Sequence, residues 1–134
     1  MSGKRRAYPR GKYEWPAVSK TEKNTISGVT LNIGPHGAFI SCQKPSKLNE
    51  VGEVTISIPD SNHSIKAKVE VVWSNIYGPD DAITPRGMGV RFIRISSEDR
   101  KFVATAVLGQ LKSLKVEPVL LDTLSTLIID LEEN

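Results

Sequence analysis

The stretch Glu53-Val54-Thr55-Ile56-Ser57-Ile58-Pro59-Asp60-Ser61-Asn62-His63-Ser64-Ile65-Lys66-Ala67-Lys68-Val69-Glu70-Val71-Val72-Trp73 decides the fold class. Val54, Ile56 and Ile58 alternate with polar neighbours, and so do Ile65, Ala67, Val69, Val71 and Trp73. A period of two puts one face of each segment on a core. Pro59-Asp60-Ser61-Asn62 between them reads as a turn, so the two segments form a β-hairpin. Further strands are predicted at Tyr13 to Val18, Thr25 to Leu31, Ala38 to Cys42, and around Met88, Val90 and Phe92. Between Ile26 and Val29 the apolar parity switches, and Gly28 at the switch suggests a bulge or a barrel bend. Several short antiparallel strands with polar outer faces make a small barrel or sandwich. Asn75 to Arg86, with Gly78-Pro79-Asp80-Asp81 and Pro85, reads as a long mobile connection before the last strand.

The period then changes. Ser96 or Ser97 followed by Glu98 and Asp99 reads as a helix start, and Phe102, Val103, Ala106, Val107, Gln110, Leu111 and Leu114 follow at helical spacing. Pro118 ends that helix and opens a second one, with Val119, Leu120, Thr123, Leu124, Leu127, Ile128 and Leu131 on one stripe. The stripe fits first a helix packed on its own domain and second a tail that self-associates into a homodimer.

Composition bounds the rest. At 134 residues, 39% hydrophobic and 25% charged, the chain suits one folded domain. Its most apolar stretch, Leu124 to Leu131, contains Ser125, Thr126 and Asp130 and falls short of the roughly 18 residues that a spanning helix needs. Residues 1–12 begin with a basic cluster but lack the apolar region of a signal peptide, so a cytoplasmic protein is expected. The single cysteine, Cys42, excludes an internal disulfide and a multi-cysteine metal cage, and its strand parity places it in the core. His36 and His63 fall in turns, and no nucleophile and base share a recognisable spacing, so an enzyme is not expected and no cofactor or metal is indicated. Net charge is only +3, but it is uneven: Lys4, Arg5, Arg6, Arg10 and Lys12 gather at one end, and Glu117, Asp122, Asp130, Glu132 and Glu133 at the other. The basic end is a candidate anion site.

Two motifs sharpen that reading. Arg6-Ala7-Tyr8-Pro9-Arg10 cannot be a helix interior, because Pro9 forbids it, so it reads as an irregular arginine loop. Guanidinium groups on such a loop can converge on a phosphate or a guanine edge, although the residues alone also fit a solvated basic tail. Asn32-Ile33-Gly34-Pro35-His36-Gly37 lies between two predicted strands. Asn32 can offer an amide to a base edge, and Gly34 and Gly37 leave the backbone open to a planar ligand; by itself the stretch also fits an ordinary hairpin turn. It is not a P-loop, since Ala38 and Phe39 follow Gly37.

Together, Arg6-x-x-x-Arg10 and Asn32-x-Gly34-x-x-Gly37 resemble the two-part signature of the PilZ domain, RxxxR followed by (D/N)xSxxG. Val71-Val72-Trp73 and Gly87-Met88-Gly89-Val90-Arg91-Phe92 resemble the strands that end such domains, and the resemblance covers roughly residues 5–114. It implies a mainly β protein: a small antiparallel six-stranded β-barrel with a C-terminal helix or helices. With the reading of the two ends from their own residues, the expected organisation is a flexible arginine-rich loop over 1–12, the barrel and its helix over 13–114, and an amphipathic acidic helix over 115–134.

The resemblance also implies a bacterial receptor for cyclic di-GMP that changes conformation on binding and passes the signal to a protein partner. Arg6 and Arg10 would then grip phosphates and guanines, Asn32 would meet a guanine edge, and Gly37 would let the ligand lie against the strand. Arg5 would add stacking and influence how many ligand molecules bind. Gly34 departs from the pattern, which has Ser there, and the missing hydroxyl costs on the order of 0.5 to 1.5 kcal/mol, or at most about tenfold in affinity. The alternative is an adaptor that keeps the fold and works by protein contacts without the ligand. A barrel that binds single-stranded nucleic acid is disfavoured, since aromatic content is 6% and Trp15, Trp73 and Phe92 fall at core-like positions.

Overall fold

The structure is a computed structural model that describes residues 8–76, 78, 80–81, 85–113 and 118–132, with the backbone alone for 118–120. Six strands precede two helices: β1 (Pro16–Lys20), β2 (Thr25–Gly34), β3 (Gly37–Ser41), β4 (Val51–Ser57), β5 (Ser64–Asn75), β6 (Gly87–Ile95), α1 (Ser97–Ser113) and α2 (Pro118–Glu132). Every strand pairs antiparallel with two neighbours, in the closed order β1-β2-β3-β6-β5-β4. The choice between barrel and sandwich is thereby decided, and closure leaves no unpaired sheet edge. Inward positions fill the lumen: Ile33, Ile40, Val54, Ile56, Ile65, Val69, Met88 and Val90 are each 1% exposed or less. Cys42 is buried as its parity predicts, and burial pushes its thiol up to about 11.

Three sequence expectations change. The first strand begins later than Tyr13, because there the Thr30 side chain takes over the pairing: its Oγ1 donates to the Tyr13 carbonyl and accepts from the Trp15 amide at 2.9 Å. The irregularity in β2 falls between Thr30 and Asn32, not at Gly28. Gly28 is instead a point of close approach, where a Cβ would lie 2.2 Å from the Ser41 carbonyl oxygen. Trp73 is not core. The β5–β6 register slips between Val71 and Trp73, so the alternation that buries Val71 turns Trp73 outward, 46% exposed, with its ring 5.5 Å from that of Phe39. Trp15 and Phe92 are buried as expected.

The predicted mobile connection is tied down at its described residues. The Asn75 side chain accepts from the Gly78 amide and donates to the Pro85 carbonyl, and the Arg86 amide donates to Asp80 Oδ1 at 2.9 Å.

α1 starts where the sequence places it, with Ser96 Oγ accepting from the Asp99 amide at 3.0 Å as an N-cap. It buries Val103, Ala104, Val107 and Leu111. α2 begins at Pro118 and folds back on α1; Leu124 is fully buried, and Leu121, Leu127 and Ile128 pack beside it. Lys101 near the start of α1 reaches Glu132 at the end of α2 at 3.1 Å, so the two helices run antiparallel. The β2–β3 turn, the β4–β5 hairpin tip, the entry to β1 and the exit of β6 share one end of the barrel, and α1 sits there. His63 of the hairpin tip stacks on Phe102 with ring centroids 4.7 Å apart.

Candidate ligand-binding site

The site grows from the way residues 8–15 enter the barrel. Gly11 and Ile33 exchange both backbone hydrogen bonds, at 2.8 and 2.9 Å, and so lay the segment along the second half of β2. Arg10 is thus carried to the β2–β3 turn, where its Nη1 donates to Asn32 Oδ1 at 3.1 Å. Twenty-two residues of separation in sequence become a direct contact. Two glycines make room for it. A Cβ on Gly34 would lie 2.9 Å from both Arg10 Cγ and the Pro9 carbonyl oxygen, and one on Gly37 would lie 3.0 Å from Arg10 Nη2 and 2.3 Å from the Val90 carbonyl oxygen. Neither glycine has a positive φ, so what these positions need is space. The guanidinium accordingly lies across bare backbone at Gly37.

Further groups close in. Gly37 pairs with Arg91, whose Nε donates to Glu70 Oε1 at 2.7 Å. The Tyr8 ring stacks on His36, with centroids 4.9 Å apart and planes 14° from parallel. His36 is fastened through its carbonyl to the Phe92 amide. Loss of solvation, and secondarily the Arg100 charge, lower its pKa below the usual 6.5 and so favour the neutral ring. Arg100 Nε is buried.

Of the residues singled out in the sequence, Arg10, Asn32, Gly34 and Gly37 come together, while Arg5 and Arg6 lie outside the described residues. The arrangement combines a forked cation, an amide that accepts from it and can turn to a base edge, and open backbone. It suits a flat anionic ligand on the outside of the barrel. A groove of about 570 Å³ lined by Lys20, Thr21, Lys23, Glu50 and Lys68 lies at the other end of the barrel, with mixed charge and none of these groups.

Comparison with known proteins now bears on this geometry. A family profile described as the PilZ domain matches residues 4–109. The chain belongs to the PilZ domain family. Among solved structures, the Bacillus subtilis inhibitor of motility, MotI/DgrA, superposes with a TM-score of 0.69 at 16% identity, covering 84% of this chain and 54% of that one. The chain thus spans about half the length of that protein. The PilZ domain of CeSA from a cellulose-synthesizing bacterium superposes with a TM-score of 0.51 at 17% identity, covering 75% and 96% of the two chains. At these identities the likeness is one of fold. No curated protein matches.

As a PilZ domain, the chain belongs to a family of ligand-binding regulatory modules. No described helix is long and apolar enough to cross a membrane, and among the described residues no group of His, Cys, Asp or Glu is arranged to hold a metal ion. The PilZ signature located Arg10 and Asn32 but not Tyr8, His36 or Arg91, whose proximity depends on ring packing and on the β3–β6 register. Gln110 had a sequence signal, as a polar residue on the apolar stripe of α1, and its side chain meets the backbone of Lys12.

Proposed function

We propose that this PilZ domain is a receptor for cyclic di-GMP that, on binding, alters its N-terminal segment and is read by a protein partner. One observation carries the reading: Arg10 and Asn32 are hydrogen-bonded over the open backbone of Gly34 and Gly37. A dianionic ligand with two guanines asks for such a set: guanidinium for phosphate or for the guanine O6 and N7, an amide for the base edge, and backbone free of side chains. Family membership supports the choice of ligand. Arg5 and Arg6 complete the basic loop in this reading, with Arg6 beside Arg10 on the ligand and Arg5 as a stacking residue. Placing a basic segment against an anion neutralises charge and makes a new surface, which is how a partner would sense occupancy. The setting is cytoplasmic, the chain acts without catalysis, and no cofactor takes part.

Calorimetric titration of the full chain with cyclic di-GMP tests this, beside Arg10→Ala and Asn32→Ala variants shown to melt as the wild type does. Saturable binding is expected. Arg10→Ala weakens it by at least about tenfold, the measure of one lost charge-assisted hydrogen bond. A folded wild type that ignores the ligand at high micromolar concentration would overturn the reading in favour of an adaptor that uses only protein contacts, and variants that bind as tightly as the wild type would overturn the assignment of the ligand to Arg10 and Asn32.

A further inference from the structure

Gln110, in the last turn of α1, makes a contact that its place in the helix does not require. Its Oε1 accepts from the Lys12 amide at 2.6 Å, and its Nε2 donates to the Lys12 carbonyl at 2.9 Å. The carboxamide therefore satisfies both backbone groups of Lys12, as a neighbouring strand would. Gly11, one residue earlier, exchanges its own pair with Ile33. The backbone is thus gripped on two sides, by β2 through Gly11 and by α1 through Lys12, immediately after Arg10. The fit is close, since a Cβ on Gly11 would lie 3.0 Å from Gln110 Oε1. Tyr13 continues the seam by donating its hydroxyl to the Ala106 carbonyl at 2.8 Å, one helical turn from Gln110.

We propose that Gln110 is a positioning residue for the ligand site, fixing the Arg10 segment over Gly37 and tying the site mechanically to α1. The inference rests on the receptor reading above and names the element through which occupancy is felt. Two consequences follow from the geometry. Releasing the clamp lets residues 8–12 sample conformations in which Arg10 is off the site, and affinity falls by the fraction of time it spends there. By reciprocity, a ligand that holds Arg10 tightens the Lys12–Gln110 pair and steadies α1, on which α2 rests. Gln110 never touches the ligand in this scheme.

The test uses the full chain as wild type, Gln110→Ala and Gln110→Glu; the glutamate keeps the side-chain shape and one acceptor but loses the donor. Affinity for cyclic di-GMP is measured by calorimetry, and amide exchange across residues 97–113 is followed with and without saturating ligand. Both variants are expected to melt close to the wild type and to bind more weakly, by about three- to tenfold for Gln110→Glu, which loses one neutral hydrogen bond, and by at least as much for Gln110→Ala, which loses two. Slowing of exchange in α1 on ligand addition is expected in the wild type and lost in Gln110→Ala. A purely structural role would leave that ligand-dependent protection in place. Variants that bind within twofold of the wild type, or that protect α1 equally when saturated, overturn the clamp while leaving the receptor reading intact. A wild type that does not bind removes both.

Discussion

His36 shows how one side chain acquires its chemistry from its neighbours. One face of the ring is covered by Tyr8, and Arg100 contributes positive charge nearby. Burial first and the arginine second favour the neutral form, which is also the form that stacks without bringing a cation into a basic site. Proton NMR of the His36 ring should give a midpoint below 6.5, and Arg100→Gln should raise that midpoint without restoring it fully, because burial remains. The consequence for stability has a definite sign: with the folded pKa depressed, the unfolded chain takes up the proton first, so the contribution is present above pH 6.5 and is lost as pH falls through the folded value. An upward shift from 6.5 would contradict this account. Arg10, Asn32 and Gly37 were legible in the sequence because a signature fixes their residue types and spacing. The Tyr8–His36 stack was not, since nothing in the spacing of a tyrosine and a turn histidine says that their rings meet.

Among the elements, the helical pair was the most readable and its role the least. Ser96 with Glu98 and Asp99 announced the start of α1, and Pro118 the start of α2, because caps and proline act through the local backbone. Whether the stripe of α2 covers its own domain or a second copy depends on which surface remains free, and in this structure α1 takes it, with Leu124 fully buried. A chain ended at residue 117 should therefore lose about 3 kcal/mol or more in urea unfolding, since burying a single leucine is worth about 1.5 to 3 kcal/mol and three more apolar residues pack beside it. Unchanged stability would mean that α2 contributes nothing to the fold. The Lys101–Glu132 pair at its far end is exposed and worth little by comparison.

At the scale of the whole molecule, closure of the barrel brings the site together, and closure depends on positions where strands come too close for a side chain. Gly28 is one of them, with the Ser41 carbonyl oxygen 2.2 Å from where a Cβ would stand. Gly28→Ala should destabilise the protein by about 1 to 3 kcal/mol, as overpacking against backbone does, with a lower denaturant midpoint and an unchanged slope; an unaffected midpoint would show that the barrel yields at that corner. The sequence by itself determined the β class, the hairpin, the two helix starts and the identity of the motif residues, because periodicity, turns, caps and signatures are local properties of the chain. The strand pattern alone left barrel or sandwich open, and the PilZ signature chose the six-stranded barrel that the structure has. Only the tertiary structure decided that the bulge in β5 sends Trp73 outward, that α2 lies on α1, and that Gln110 grips the segment bearing Arg10. Each of these depends on register and on contacts between residues far apart in the chain, where a slip of one position exchanges inside for outside.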